Sequence, residues 1–191
     1  MVEKLGYDVV RRYDEFELRR YAPHVVAEVV VRAPFEDAGN AAFRTLAGYI
    51  GGQNRSRTKV AMTAPVLQQP SERIAMTAPV EQRETREGEY AVAFVLPSSL
   101  TLESAPVPTN PDVQLSQRPG VLAAARRYRG GWGRDAFEQH RGELDQAVRA
   151  AGLTPVGPVR WARFDPPIMP AFLRRNEIVQ DVVDGAAQTP G

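Results

Sequence analysis

Chemistry in this sequence has few places to come from. Cysteine is absent, which removes disulfides, thiolate metal sites, thiol nucleophiles and haem attachment through Cys-x-x-Cys-His together. His24 and His140 are the only imidazoles, and no Gly-x-Ser-x-Gly, Walker A, His-Glu-x-x-His or EF-hand pattern occurs. Methionines, aromatic rings and arginines remain. Two of the methionines stand in a phrase written twice, "KVAMTAPV" from Lys59 and "RIAMTAPV" from Arg73, fourteen residues apart and identical at six of eight positions. A thioether can ligate a soft metal, but its usual work is filling a core. Because fourteen is even, Val60, Met62 and Ala64 share in extended chain the orientation of Ile74, Met76 and Ala78. The phrase therefore reads as two short strands of a hairpin, each presenting a methionine inward. Each leaves the sheet or takes an edge at Pro65 or Pro79, which cannot donate to a ladder.

The elements around the phrase repeat as well. "FELRRYAPHVVAEVVV" alternates Val25, Ala27, Val29 and Val31 against Val26, Glu28 and Val30, and predicts a strand pair bent at Pro23. The helix that follows has Pro34, Glu36 and Asp37 suited to its first turn and Gly51-Gly52 suited to its end. Its apolar face is Phe35, Ala38, Ala42, Leu46, Tyr49 and Ile50, with Asn40, Phe43 and Ala47 along the shoulder. "YAVAFVL" is apolar on both faces, as an interior strand is. Beyond a Pro/Ser/Thr-rich connection the plan recurs: "DVQLSQRP", a bend at Pro119-Gly120, "VLAAARRYRG", and a helix over about Gly133–Ala151 burying Phe137, Leu144, Val148 and Ala151. Strands near Val156–Phe164 and Asn176–Val183 complete it. Strand, strand, helix, strand, strand in each half predicts an α+β fold, with helices laid on a mostly antiparallel sheet or open barrel.

A chain of 191 residues with 43% hydrophobic and 25% charged content suits one domain, here residues 1–183, with a frayed polar tail over 184–191. The formal charge of +1 offers no field for gathering nucleic acid or an anionic membrane, so neither is expected as a partner. The expected assembly is a monomer or weak homo-oligomer. No apolar run reaches the roughly 18 residues of a membrane span, and the expected location is cytoplasmic.

The two "AMTAPV" phrases, preceded by "AFRTLAGYIGGQN" and followed by "ARFDPPIMPAFLRRNEI", resemble the SOUL haem-binding protein family from about Tyr7 to Val183. The resemblance implies a distorted barrel of two βαββ halves, each with one long helix, related to GyrI-like effector-binding domains. It also implies reversible binding of haem or another tetrapyrrole in an open hydrophobic groove, for carriage, buffering or sensing. The groove residues so implied are Asn40, Phe43 and Ala47 on the first helix with Met169, Phe172 and Arg174 in the loop before the last strand. Some relatives place basic residues at positions matching Asn40, Gly48 and Met169; here Arg44, Arg174 and Arg175 are the nearby cations. Arg20 occupies the position where some members carry a histidine, so weak axial ligation or none is expected, His24 and His140 being the remaining candidates. A non-haem effector module is the alternative. A hydrolase of the GyrI-like kind, using Tyr49, Tyr128 and Glu177, is a further one.

Overall fold

The computed structural model describes residues 3–57, 71–165 and 169–184. In chain order its elements are β1 (Glu3–Lys4), β2 (Tyr7–Arg12), β3 (Glu17–Tyr21), β4 (His24–Arg32), α1 (Phe35–Ile50), β5 (Asn54–Arg55), β6 (Thr77–Ala78), β7 (Val80–Arg86) and β8 (Glu89–Val95). The second half continues with β9 (Val107–Pro108), β10 (Gln114–Arg118), β11 (Val121–Arg129), α2 (Arg134–Ala150), β12 (Leu153–Pro155), β13 (Arg160–Arg163) and β14 (Arg175–Asp184).

The main sheet runs β10-β4-β8-β7-β13-β14-β11-β3-β2, every neighbouring pair antiparallel, with β12 added alongside β14. It curls into an open half-barrel carrying two helices, an α+β architecture. Setting β2 aside, the order is a palindrome: β10, β4, β8 and β7 correspond to β3, β11, β14 and β13. The pseudo-two-fold passes between β7 and β13. The expected duplication is therefore present, with one exchange. β3 and β4 follow each other at Pro23 but do not pair; β3 lies beside β11, and β4 beside β10 and β8. Each half lends its first strand to the other. The two corners meet where Gly120 approaches Tyr21 O and Pro23, with room for no side chain beyond a strained methyl.

One face of the sheet is apolar because the alternation puts Val25, Ala27, Val29, Val92 and Phe94 under Ala42, Leu46 and Tyr49 of α1. On the same face α2 buries Phe137, Leu144 and Val148 with Phe16, Leu18, Ala124, Trp161 and Ile178. Ala151 lies just past the end of α2, and Gly152 follows in a positive-φ conformation. Among the described residues the other face bears no helix and is threaded by ion pairs: Arg19 with Glu177, Arg160 with Asp181, and Arg83 and Arg118 with Glu28.

The first copy of the repeated phrase lies outside the described residues. In the second copy Thr77 and Ala78 are strand, paired with β1 in parallel, and Val80 opens β7; Pro79 stands between the two strands, as its missing donor requires. Met76 is exposed, not interior. The strand is too short for its alternation to extend back to Met76; Ile74 and Val80 of this copy pack against the core. Asp184, expected in the tail, is the last residue of β14. No helix among the described residues is long and apolar enough to cross a membrane.

Candidate functional site

α1 carries a stripe that the core does not use. Asn40 is exposed, Ala47 half-buried, and between them Phe43 is 44% exposed. The Phe43 ring stands edge-on to Phe94 of β8, with centroids 5.7 Å apart. It is held at its base and open elsewhere.

The loop before β14 is built to hold its own shape. Arg174 Nε donates to Met169 O at 2.7 Å, closing 169–174 around the 3-10 turn Ala171–Leu173. Phe172 at that turn is 72% exposed. Asp165 fastens the start of β14 to the end of β13, accepting from the Arg175 main-chain N–H at 2.6 Å and from its Nη2 at 2.6 Å. Those hydrogen bonds hold its carboxyl below the ordinary aspartate range.

Helix and loop are bridged through Trp132. The guanidinium carbon of Arg174 lies 4.3 Å from the Trp132 ring centroid, and that of Arg163 lies 5.0 Å from the same centroid. Arg163 in turn presses on the backbone of Gly39, where a methyl group would overlap its guanidinium. Trp132 is fixed by donating Nε1–H to Asn176 Oδ1 at 3.1 Å. A continuous stack thus joins Gly39, next to Asn40, with Arg174, the partner of Met169. Each cation on an indole contributes about 0.5–2 kcal/mol.

Neither histidine faces this stripe. His24 alternates with Val25, Ala27 and Val29, which point to α1, and its Nδ1 lies 2.9 Å from Ala22 O. His140 packs at a tilt against Tyr128, ring centroids 4.1 Å apart, and meets Glu143 at 3.1 Å. Arg175 is committed to Asp165, and Arg44 is exposed on α1.

The helix-free face holds a cavity of about 510 Å³, lined in part by Tyr7, Tyr21, Phe164, Arg127 and Glu177. None of Asn40, Phe43, Ala47, Met169, Phe172 or Arg174 lines it. Its acid is already neutralised: Glu177 accepts from Arg19 Nη1 at 2.8 Å and Nη2 at 3.0 Å, and from Arg127 Nε at 2.8 Å. Burial pushes the Tyr21 hydroxyl up to about 12. Tyr49, Tyr128 and Glu177 do not converge. Tyr49 donates to Pro106 O beneath α1, Tyr128 packs against His140 of α2, and Glu177 is clamped on the opposite face. They form no joint acid–base site.

Sequence reasoning missed Trp132 as the bridge and Arg163 as a buried cation. The signal for Arg163 was available: in "RWAR" it shares parity with Trp161, and so faces the helices.

The fold has solved counterparts. The C-terminal domain of EcmrR superposes with a TM-score of 0.62 at 12% identity, covering 93% of this chain and 98% of that one. A hydrolase from Listeria innocua gives 0.58 at 10% identity, covering 91% and 94%. At such identities the likeness concerns the fold alone, and both are similar in architecture to the curled sheet described above. By sequence, the chain is similar to heme-binding protein 1 of Xenopus tropicalis, 27% identical over 165 residues, which cover 85% of this chain and 81% of that protein. The family model described as SOUL heme-binding protein matches residues 2–181. The match spans both halves of the palindromic sheet, both helices and the loop before β14, and the chain belongs to the SOUL heme-binding protein family.

Proposed function

We propose that this protein binds haem or another tetrapyrrole reversibly in the groove between α1 and the 169–174 loop, as a carrier, buffer or sensor rather than a catalyst. The observation that carries the reading is Phe43: an aromatic ring fixed by Phe94 yet 44% exposed, on a helix whose other rings are buried. Family membership and the name of the Xenopus relative support the same ligand. Phe43 and Ala47 would form the floor, Asn40 a polar edge, Met169 and Phe172 the facing side, and Arg174 a cation for a propionate. With both histidines turned elsewhere, apolar contact supplies most of the affinity and axial imidazole none. Haem, when bound, brings a redox-active iron; the chain's own residues hold the macrocycle and keep water from one face of it. The cysteine-free composition supports a cytoplasmic setting for that role.

The test is a hemin titration followed by absorbance and tryptophan quenching, with Phe43→Asp and Met169→Asp alongside. Saturable one-to-one binding weakened about tenfold or more by both variants is expected, because each places a charge against apolar ligand surface. Unsaturable association indifferent to both would remove the reading. The alternative, a non-haem effector module, is favoured by the aromatic-lined cavity of about 510 Å³ on the other face. Binding lost with Phe164→Asp but kept with Phe43→Asp would move the ligand there.

A further inference from the structure

The helix-free face is hollow at its centre because its strands carry small side chains there. Along β11, Ala123, Ala125, Arg127 and Arg129 alternate onto this face, and Ala162 of β13 and Val179 of β14 join the two alanines in a buried cluster. Leu5, Tyr7 and Phe164 pack against that cluster. The cavity of about 510 Å³ has Ala162 and Val179 as its floor and rings of Tyr7, Tyr21 and Phe164 around it, a size and lining that suit a small aromatic molecule.

Its wall sorts charge by depth. Glu81 and Glu177 lie deep, 7% and 5% exposed, and arginines already meet both: Arg160 Nε is 3.8 Å from Glu81, and Arg19 and Arg127 clamp Glu177. Four exposed cations, Lys4, Arg127, Arg129 and Arg175, form the rim. Arg127 is answered by Glu177 and Arg175 by Asp165. Lys4 and Arg129 form no ion pair among the described residues. Arg129 Nη1 donates to Leu173 O at 3.3 Å, and Arg129 feels Asp165 only beyond ion-pair distance, that carboxylate being taken by Arg175.

Two phenols add donors. Tyr7 OH accepts from Arg127 Nη2 at 2.6 Å, and Tyr21 OH accepts from Arg19 Nη1 at 3.1 Å. A phenol oxygen that accepts from a guanidinium keeps its own proton to give, and neither proton has an acceptor among the described residues. The Arg19 guanidinium also lies over the Tyr7 ring, 4.1 Å from its centroid, and the two tyrosine rings are tilted against each other at 5.4 Å. The donors are therefore held in place before a ligand arrives. Deep acids already neutralised, rim cations without acids and phenol protons without acceptors are together complementary to an anion and unfavourable to a cation.

We infer that this cavity is a second ligand site, on the opposite face of the sheet from α1, and that it takes a small aromatic carboxylate. The ring lies over Ala162 and Val179, and the carboxylate sits at the rim, where the Tyr7 hydroxyl and Arg127 meet. The site is independent of the tetrapyrrole reading: a macrocycle beside α1 and a carboxylate here do not exclude each other.

Naphthoate, neutral naphthylmethanol and the cation naphthylmethylammonium differ in charge but little in shape. Calorimetry compares the three on the parent protein, Lys4→Glu, Arg129→Glu, Tyr7→Phe and Phe43→Asp. Naphthoate should bind the parent one to one, with the alcohol about tenfold or more weaker and the cation weaker still. Lys4→Glu and Arg129→Glu, both on exposed side chains, should each weaken naphthoate about threefold or more and leave the alcohol as it was. Tyr7→Phe, which removes only a hydroxyl, should narrow the gap between naphthoate and alcohol. Phe43→Asp should change none of the three. Naphthoate failing to bind, the three probes binding alike, the cation binding best, or a naphthoate affinity indifferent to both rim reversals would overturn the inference. So would loss of naphthoate binding in Phe43→Asp, which would put that ligand beside α1 instead. The groove reading is judged separately, by hemin on Phe43→Asp and Met169→Asp, and can fail while this site stands.

Discussion

Replacing Glu177 by Gln should cost about 2–4 kcal/mol, and the estimate follows from its surroundings. The Arg19 side chain is 0% exposed and that of Glu177 is 7% exposed, with two oxygen–nitrogen contacts at 2.8 and 3.0 Å. An amide can keep its oxygen at the position shared by Arg19 Nη2 and Arg127 Nε. Its NH2 then faces Arg19 Nη1, donor against donor, and one charge-assisted hydrogen bond worth about 1.5–3 kcal/mol is lost. Removing one member of a buried pair costs about 3–5 kcal/mol when nothing compensates; here Glu17 still reaches Arg19 at 2.9 Å. Arg127, more than half exposed, turns to water and adds little. At about 2–4 °C per kcal/mol for a chain of this size, the thermal midpoint falls by about 5–15 °C. Urea unfolding followed by tryptophan fluorescence gives the free energy. The double variant Arg19→Met, Glu177→Leu should recover most of it, since apolar groups of similar volume replace a buried pair at little cost. A single variant within about 0.5 kcal/mol of the parent, or a double variant worse than the two singles summed, would refute the reasoning.

Two further outcomes follow from the loop and the stack. Gly39→Ala gains about 1 kcal/mol of helix propensity, but its methyl displaces the Arg163 guanidinium. The gain should be cancelled in the parent and recovered in an Arg163→Ala background, as read from denaturant midpoints. Asp165, held below its ordinary range by Arg175, favours its ionised form in the fold. Its contribution is complete above about pH 4 and lost as pH falls through the lower folded value. Asp165→Asn should therefore flatten the acid limb of stability, and an acid-unfolding midpoint checks it.

The sequence reveals the elements better than their neighbours. Period two in "HVVAEVVV" and a doubly apolar "YAVAFVL" find β4 and β8, and the helical faces find the buried side of α1 and α2 except at Ile50 and Ala151, which lie half-buried at the helix ends. Alternation assigns faces but says nothing about which strand lies alongside, so the strand exchange at Pro23 was invisible. Parity also fails where a strand stops, and Met76 is exposed for that reason. Phe43 reads correctly as a shoulder residue because helix geometry is local. Arg163 escaped notice because a lone arginine on an apolar face reads as an edge of the strand. Only the absence of an acid across two other strands marks it, and that is a property of the assembled sheet.

The position of β14 bears on how the protein is made. It is the last of the described strands in chain order, yet it sits between β13 and β11, joining the block β10-β4-β8-β7-β13 to the block β11-β3-β2. A nascent chain on the ribosome can assemble most of each block early, but the two share no ladder until Arg175–Asp184 has left the exit tunnel. The apolar face beneath α1 and the one beneath α2 are sealed to each other only then. The sheet is closed in one step by β14, and a chain stalled before Arg175 holds two unjoined edges in need of protection by chaperones.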